Sequence, residues 1–253
     1  MYIAIDIGGT NIRISATKTI ADTKLLETKF LPTENNFNKY IQNIIKNIYS
    51  FTEKPHAIGI GIAGSVSENI LTGSIALTLW VDQPIVETLQ KDFNCPIFVE
   101  NDGVVAALGE TTYGVNHPQQ FLYITWGTGV GGATVYSKNN KVTVSKADRT
   151  KNLSHFEEIA GGKILEKRFL KQPKMMDDTE WMEVFQDLHS LLKRVSEEFN
   201  LETIVLGGGI VEKQKERLNK FLLQNKIQNV HLSQLGDQTG LYGAFALIKD
   251  NLK

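Results

Sequence analysis

Ile3-Ala4-Ile5-Asp6-Ile7-Gly8-Gly9-Thr10-Asn11-Ile12-Arg13-Ile14-Ser15-Ala16-Thr17 decides the fold. Ile3 to Ile7 is an apolar run of strand character, Gly8-Gly9-Thr10 is a tight turn, and Ile12 to Thr17 returns as a second strand. A third strand candidate near Leu25 to Leu31 makes the opening a meander. The same device recurs farther on: a strand over Phe121 to Trp126, the turn Gly127-Thr128-Gly129-Val130-Gly131-Gly132, and a returning strand over Ala133 to Ser137. One supersecondary unit used twice predicts two α/β domains with mixed sheets and a cleft between them.

The intervening segments read as helices and strands. Phe37, Tyr40, Ile41, Ile44, Ile45, Ile48 and Phe51 recur at three- and four-residue spacing and predict one helix. Strands are expected at Ala57 to Ile62 and Pro96 to Val99, with a helical face through Val86, Leu89 and Phe93 after Pro84. A small-residue helix follows over Val104 to Glu110. In the second half the pattern predicts helices over Phe156 to Leu170, Trp181 to Phe199, Val211 to Leu223 and Leu241 to Ile248. A short strand, Thr203 to Leu206, runs into Gly207-Gly208-Gly209. The loop Tyr113 to Gln119 is the expected boundary.

Two triplets, Gly127/Gly129/Gly132 and Gly59/Gly61/Gly64, have the letters of a dinucleotide fingerprint. That fingerprint needs a helix directly after the glycines, so that its N-terminus faces a pyrophosphate. Ala133-Thr134-Val135-Tyr136 favours a strand instead, and Ser65-Val66-Ser67 starts no amphipathic helix. Glycine hairpins still suit phosphate, because their amides are unobstructed and Thr10 or Thr128 can add a hydroxyl. Ordinary tight turns are the alternative for either loop alone. Asp6 sharpens the case: a carboxylate inside an apolar run is costly unless a cation offsets it, and a phosphate-bound Mg2+ ion asks for few carboxylates and several waters. A turn-capping aspartate is the other reading.

Of 253 residues, 42% are hydrophobic, enough for real cores, and 27 basic against 28 acidic residues leave a net charge of -1. Such balance disfavours nucleic acid and anionic membrane as partners. Cys95 is the single cysteine, which excludes an internal disulfide and a cysteine-based zinc cluster. The apolar start lacks the basic region of a secretory leader and no run reaches membrane-helix length, so a cytoplasmic protein is expected.

With these motifs in place, the sequence resembles the ROK family of bacterial sugar kinases and repressors, in the actin, chaperone-ATPase and hexokinase superfamily. Asp6 to Arg13 is similar to the family's first phosphate motif, Gly127 to Gly132 to its second, and Leu206-Gly207-Gly208-Gly209-Ile210 to its adenosine motif. Val99-Glu100-Asn101-Asp102-Gly103-Val104-Val105-Ala106-Ala107-Leu108-Gly109-Glu110 resembles the sugar-site segment. The resemblance implies an actin-like, ribonuclease H-like fold, with one domain of residues 1–112 plus 239–253 and another of 113–238. It implies an ATP- and Mg2+-dependent kinase acting on a hexose or N-acetylhexosamine, with Asp102 as general base and Asn101, Glu157 and Gly64 at the sugar. ATP would be held by Gly8, Gly9, Thr10, Asn11, Arg13, Gly127, Thr128, Gly129, Gly131, Gly208 and Gly209, with Asp6 at the metal. A homodimer is the family expectation. Asn101 and Asp102 also suit a helix N-cap, a role compatible with catalysis.

The chain departs from the family between the second phosphate motif and the following helix. Val142 to Ser154 is short and polar, without the Glu-x-Gly-His segment or the zinc cysteines, so no zinc is expected and two sugar contacts are missing. Glu157 matches a sugar-binding glutamate, yet Ser154-His155-Phe156-Glu157 also reads as a capping box with Glu157 at its third helical position. His155, where a zinc cysteine would stand, reads as structural. Two rivals remain: a sensor that binds ligand without turnover, and an ATPase with no small acceptor. A DNA-binding repressor is disfavoured by the few residues before Asp6.

Overall fold

In the computed structural model, which describes residues 1–21, 24–34, 36–114, 120–138, 141–147, 151–201 and 203–252, the opening strand β1 (Tyr2–Ile7) lies mid-sheet. It pairs antiparallel with β2 (Asn11–Thr17), which pairs antiparallel with β3 (Lys29–Pro32). On its other side it pairs parallel with β4 (Ala57–Ile62), and β4 pairs parallel with β7 (Ile97–Asn101). All six residues of β4 are buried, as expected of a parallel strand covered on both faces. Helices α1 (Phe37–Tyr49), α2 (Ile85–Asp92), α3 (Asp102–Tyr113) and α9 (Thr239–Asn251) belong to this first unit, which comprises Met1–Tyr113 and Gln238–Lys253.

The glycines of β4 are explained by packing. A Cβ on Gly59 would lie 2.2 Å from the carbonyl oxygen of Ala244 in α9, and one on Gly61 would lie 3.1 Å from the Val105 side chain in α3. Gly59 and Gly61 therefore record helix-on-strand contact, whereas Gly64 has φ 147° and a Cβ there would meet the Gly73 carbonyl oxygen at 2.3 Å. After Gly64 the chain forms a hairpin of β5 (Ser65–Ser67) and β6 (Ile70–Gly73). Glu68 and Asn69 both take positive φ, the conformation a two-residue primed turn requires.

The second unit, Gly114–Asp237, repeats the plan. Strand β8 (Gln120–Trp126) pairs antiparallel with β9 (Val130–Lys138), and β9 with β10 (Lys141–Lys146). On its other side β8 pairs parallel with β11 (Ile204–Gly207), and β11 with β12 (Val230–Leu232). Both five-stranded sheets thus join three antiparallel strands to two parallel ones, the mixed sheets of an actin-like fold.

Four expectations for this unit are corrected. Residues 141–146, read as part of a polar stretch, form β10, because an edge strand needs only one partner. The helix expected over Phe156 to Leu170 is two, α4 (Lys151–Ala160) and α5 (Gly162–Phe169), broken where the Gly162 N–H turns aside to the Gly127 carbonyl. Ser154 lies inside α4, so Ser154 to Glu157 is not a capping box. The helix over Val211 to Leu223 is likewise two, α7 (Gly209–Lys213) and α8 (Lys215–Gln224), after α6 (Asp178–Phe199). Most of the expected boundary loop, residues 115–119, lies outside the described residues. Each unit has its own apolar core: Trp126, Phe156, Trp181 and Phe185 in the second, the isoleucines of β1, β2, β4 and α1 in the first. Among the described residues no helix is long and apolar enough to cross a membrane.

Candidate active site

In the first unit the β1–β2 turn is braced on two sides. The Gly8 N–H donates to the Asn11 carbonyl at 3.0 Å, the Thr33 hydroxyl donates to the Gly8 carbonyl at 2.8 Å, and the Thr33 N–H donates to the Thr10 carbonyl at 2.8 Å. Gly8, Gly9, Thr10 and Asn11 therefore form one pinned loop. Cross-strand pairing sets Asp6 opposite Arg13, with 3.6 Å between the guanidinium and the carboxylate.

The Asp6 carboxyl is only 18% exposed. Burial pushes its pKa above the usual carboxylate range, and the opposing pull of Arg13 is the weaker influence. Its other neighbour is backbone: a Cβ on Gly240, in the first turn of α9, would lie 2.6 Å from the Asp6 carboxyl carbon. A lone carboxylate that burial penalises when charged fits Mg2+ held mainly by phosphates and water. Among the described residues no three His, Cys, Asp or Glu side chains gather as metal ligands, and His155 lies exposed on α4.

At the same C-terminal strand ends of this sheet, two strands over from β1, β7 runs directly into α3. Asn101, the last residue of β7, caps the helix: its Oδ1 accepts from the N–H groups of Gly103 at 3.0 Å and Val104 at 3.1 Å. Its Nδ2 donates to the Gly64 carbonyl at 2.5 Å and to Asp102 Oδ1 at 3.1 Å. Asp102 Oδ1 also accepts from the Gly103 N–H at 3.0 Å. Asn101 thus touches both Gly64 and Asp102.

In the second unit the turn between β8 and β9 is Gly127-Thr128-Gly129, closed by the Gly127 N–H donating to the Gly129 carbonyl at 2.9 Å. The start of α5 holds it from outside: the Gly162 N–H donates to the Gly127 carbonyl at 2.9 Å and the Lys163 N–H to the Thr128 carbonyl at 3.3 Å. Beneath, the Trp126 indole N–H donates to the Ala160 carbonyl at 2.7 Å. Gly208, at φ 99°, passes so close to Trp126 that a Cβ would meet its carbonyl oxygen at 2.5 Å. Gly209 follows, its nitrogen 3.8 Å from where a Gly127 Cβ would stand, so the Gly127-Thr128-Gly129 turn and the Gly207-Gly208-Gly209 segment are adjacent. Gly131 is set apart from them, inside the β9 ladder opposite Thr125.

Glu157 belongs to this cluster. Its Oε1 accepts from the Val130 N–H at 3.3 Å and sits where a Gly129 side chain would begin, while among the described residues Oε2 makes no hydrogen bond. Sequence reasoning gave no role to Gly240, Gly161 or Gly162. It also missed Trp126 as a support.

Two pinned glycine turns, each following the first strand of a mixed sheet in a plan used twice, define the class: an actin-like fold. A sequence model of the ROK family matches residues 2–144, and the chain belongs to that family. It is 25% identical to the N-acetylmannosamine kinase of Vibrio cholerae over 87% of this chain and 88% of that one. It is 30% identical to the glucokinase of Halalkalibacterium halodurans over 54% of this chain and 44% of that one. Among solved structures, a ROK glucokinase from Streptomyces griseus in complex with glucose and AMPPNP superposes with a TM-score of 0.77 at 20% identity, covering 97% of this chain and 98% of that one. A ROK transcriptional regulator, a homolog of Escherichia coli MLC, superposes at 0.73 and 15% identity, covering 99% of this chain and 78% of that one.

Proposed function

We propose that this protein is an ATP-dependent sugar kinase that transfers the γ-phosphate of ATP to a hydroxyl of a hexose or N-acetylhexosamine, with Asp102 as general base. The observation that carries this reading is Asp102 at the first position of α3, its Oδ1 accepting two N–H bonds from Asn101 and Gly103. Those bonds fix the carboxyl group at the start of α3, and a general base needs a set position before anything else.

Phosphoryl transfer asks the protein for position and charge neutralisation more than for covalent chemistry. In this reading Gly127, Thr128, Gly129, Gly208 and Gly209 bind the nucleotide from the second unit, and Gly8, Gly9, Thr10, Asn11 and Arg13 bind phosphate oxygens from the first. Asp6 would hold Mg2+ through water, and the ion supplies neutralising charge at the phosphates. Asp102 accepts the proton of the acceptor hydroxyl, whose oxygen attacks the γ-phosphorus as the bond to ADP breaks. Glu157 offers Oε2 to a second acceptor hydroxyl.

The test is Mg2+-dependent ATP consumption by the purified protein against a panel of hexoses and N-acetylhexosamines. Consumption driven by one sugar supports the kinase and names its acceptor. ATP loss indifferent to sugar makes it an ATPase, and sugar binding without ATP loss makes it a sensor.

A further inference from the structure

Of the five carbonyl groups over Ile7 to Asn11, four are taken by the protein. Ile7 accepts from the Ala63 N–H at 2.9 Å, Gly8 from the Thr33 hydroxyl at 2.8 Å, Thr10 from the Thr33 N–H at 2.8 Å and Asn11 from the Gly8 N–H at 3.0 Å. The β1–β2 turn thus directs the negative ends of its peptide dipoles onto the fold. An anion cradle requires this, since a carbonyl left facing a phosphate repels it. Among the described residues the Gly9 N–H makes no hydrogen bond. Two of the four bonds come from Thr33, 25 residues beyond Gly8 and part of none of the motifs read from the sequence. Thr33 is itself held on both sides. Pro32 before it pairs with Asn11 at the end of the β2–β3 ladder. The Glu34 carbonyl after it accepts the Asn36 N–H at 2.8 Å and the indole N–H of the fully buried Trp80 at 3.2 Å.

We propose that Thr33 is a positioning residue for the phosphates of the nucleotide: it holds the Gly8 and Thr10 carbonyls away from the phosphate oxygens, so that the turn offers them N–H groups. It acts through the turn and needs no contact with ATP. This role rests on the kinase reading for its purpose and on the hydrogen bonds alone for its geometry. Without the hydroxyl, the Gly8 peptide is free to turn its carbonyl outward, and binding must then reorder it at a cost in affinity.

Thr33→Val keeps the branched shape and the backbone N–H and loses the hydroxyl, whereas Thr33→Ser keeps the hydroxyl. In calorimetry with AMPPNP and Mg2+, the Val variant should bind roughly threefold to tenfold more weakly than the wild type, the worth of one neutral hydrogen bond. The Ser variant should stay within about twofold, because its donor is restored. With the acceptor found for the wild type, the ATP KM should follow the same pattern while the acceptor KM stays within about twofold. A Val variant that binds AMPPNP as the wild type does would overturn the proposal. So would equal losses in Val and Ser, or an acceptor KM that rises as far as the ATP KM. Should the Val variant fail to fold, Thr33→Ala decides, since it puts no methyl group in place of the hydroxyl. Its AMPPNP affinity should fall by as much, and wild-type affinity refutes the role. A wild type that binds AMPPNP but consumes ATP with no acceptor ends the kinase reading by itself, and the binding comparison still decides what Thr33 does.

Discussion

The Glu157 carboxylate accepts the Val130 N–H at 3.3 Å, which ties helix α4 to the first residue of β9, directly after the Gly127-Thr128-Gly129 turn. Glu157→Gln keeps an oxygen for that bond but removes the charge. Its acceptor KM is expected to rise on the order of tenfold with ATP KM unchanged, since a hydrogen bond to a charged group is worth about 1.5–3 kcal/mol. Glu157→Ala loses the turn contact as well and should raise both KM values. Steady-state kinetics with both substrates varied checks this, and a Gln variant that affects ATP alone would move Glu157 to the nucleotide.

Two tryptophans in the core beneath that turn should answer differently to the same change. The Trp126 indole N–H bonds the Ala160 carbonyl, and in Trp126→Phe that buried carbonyl loses its donor, at a cost of about 1–3 kcal/mol. The Trp181 indole N–H is buried with no partner among the described residues, so Trp181→Phe removes an unmet donor along with some packing. Trp181→Phe is therefore expected to be the milder by roughly 1 kcal/mol or more in urea unfolding. Equal losses would mean that the Trp126 bond contributes nothing.

Asp6 carries the pH dependence. Its folded pKa lies above the unfolded value, so the native state holds the proton more tightly and stability falls as pH rises from the unfolded pKa through the folded one. Asp6→Asn removes this loss. Without ligands the variant should gain on the wild type as pH rises from 3.8 toward neutrality, in chemical unfolding followed at several pH values. A wild type that stabilises relative to Asn over that range would show Arg13 outweighing burial.

Gly240→Ala puts a methyl group against the Asp6 carboxyl, 2.6 Å from its carbon. Alanine favours a helix by up to about 1 kcal/mol over glycine, which offsets the crowding, so the fold should survive while the carboxylate shifts. The expected result is a near-normal melting temperature with a raised Mg2+ requirement for turnover. A normal Mg2+ dependence would free Asp6 from metal binding.

The duplicated sheets were legible because each begins with an apolar run closed by a glycine turn, Ile3 to Thr10 and Phe121 to Gly129. Asn101 and Asp102 stood out as polar residues where a strand becomes a helix. The α4–α5 break was hidden, because its cause is a bond from Gly162 to Gly127, thirty-five residues earlier in the chain, which no local periodicity records. For the same reason Ser154 to Glu157 imitated a cap: the letters fitted, but the helix begins at Lys151 and Glu157 is drawn to Val130. The role of Gly240 could not be read locally, since close approach to Asp6 exists only once α9 returns to the first sheet.

The central claim is that Asp102 takes the proton of a sugar hydroxyl. Its most direct test is Asp102→Asn, with sugar-dependent ATP turnover measured beside sugar binding by calorimetry. The account expects turnover to fall by about two to four orders of magnitude, the contribution of a general base, with the sugar still bound. A variant that binds sugar and turns over ATP at the wild-type rate would contradict it.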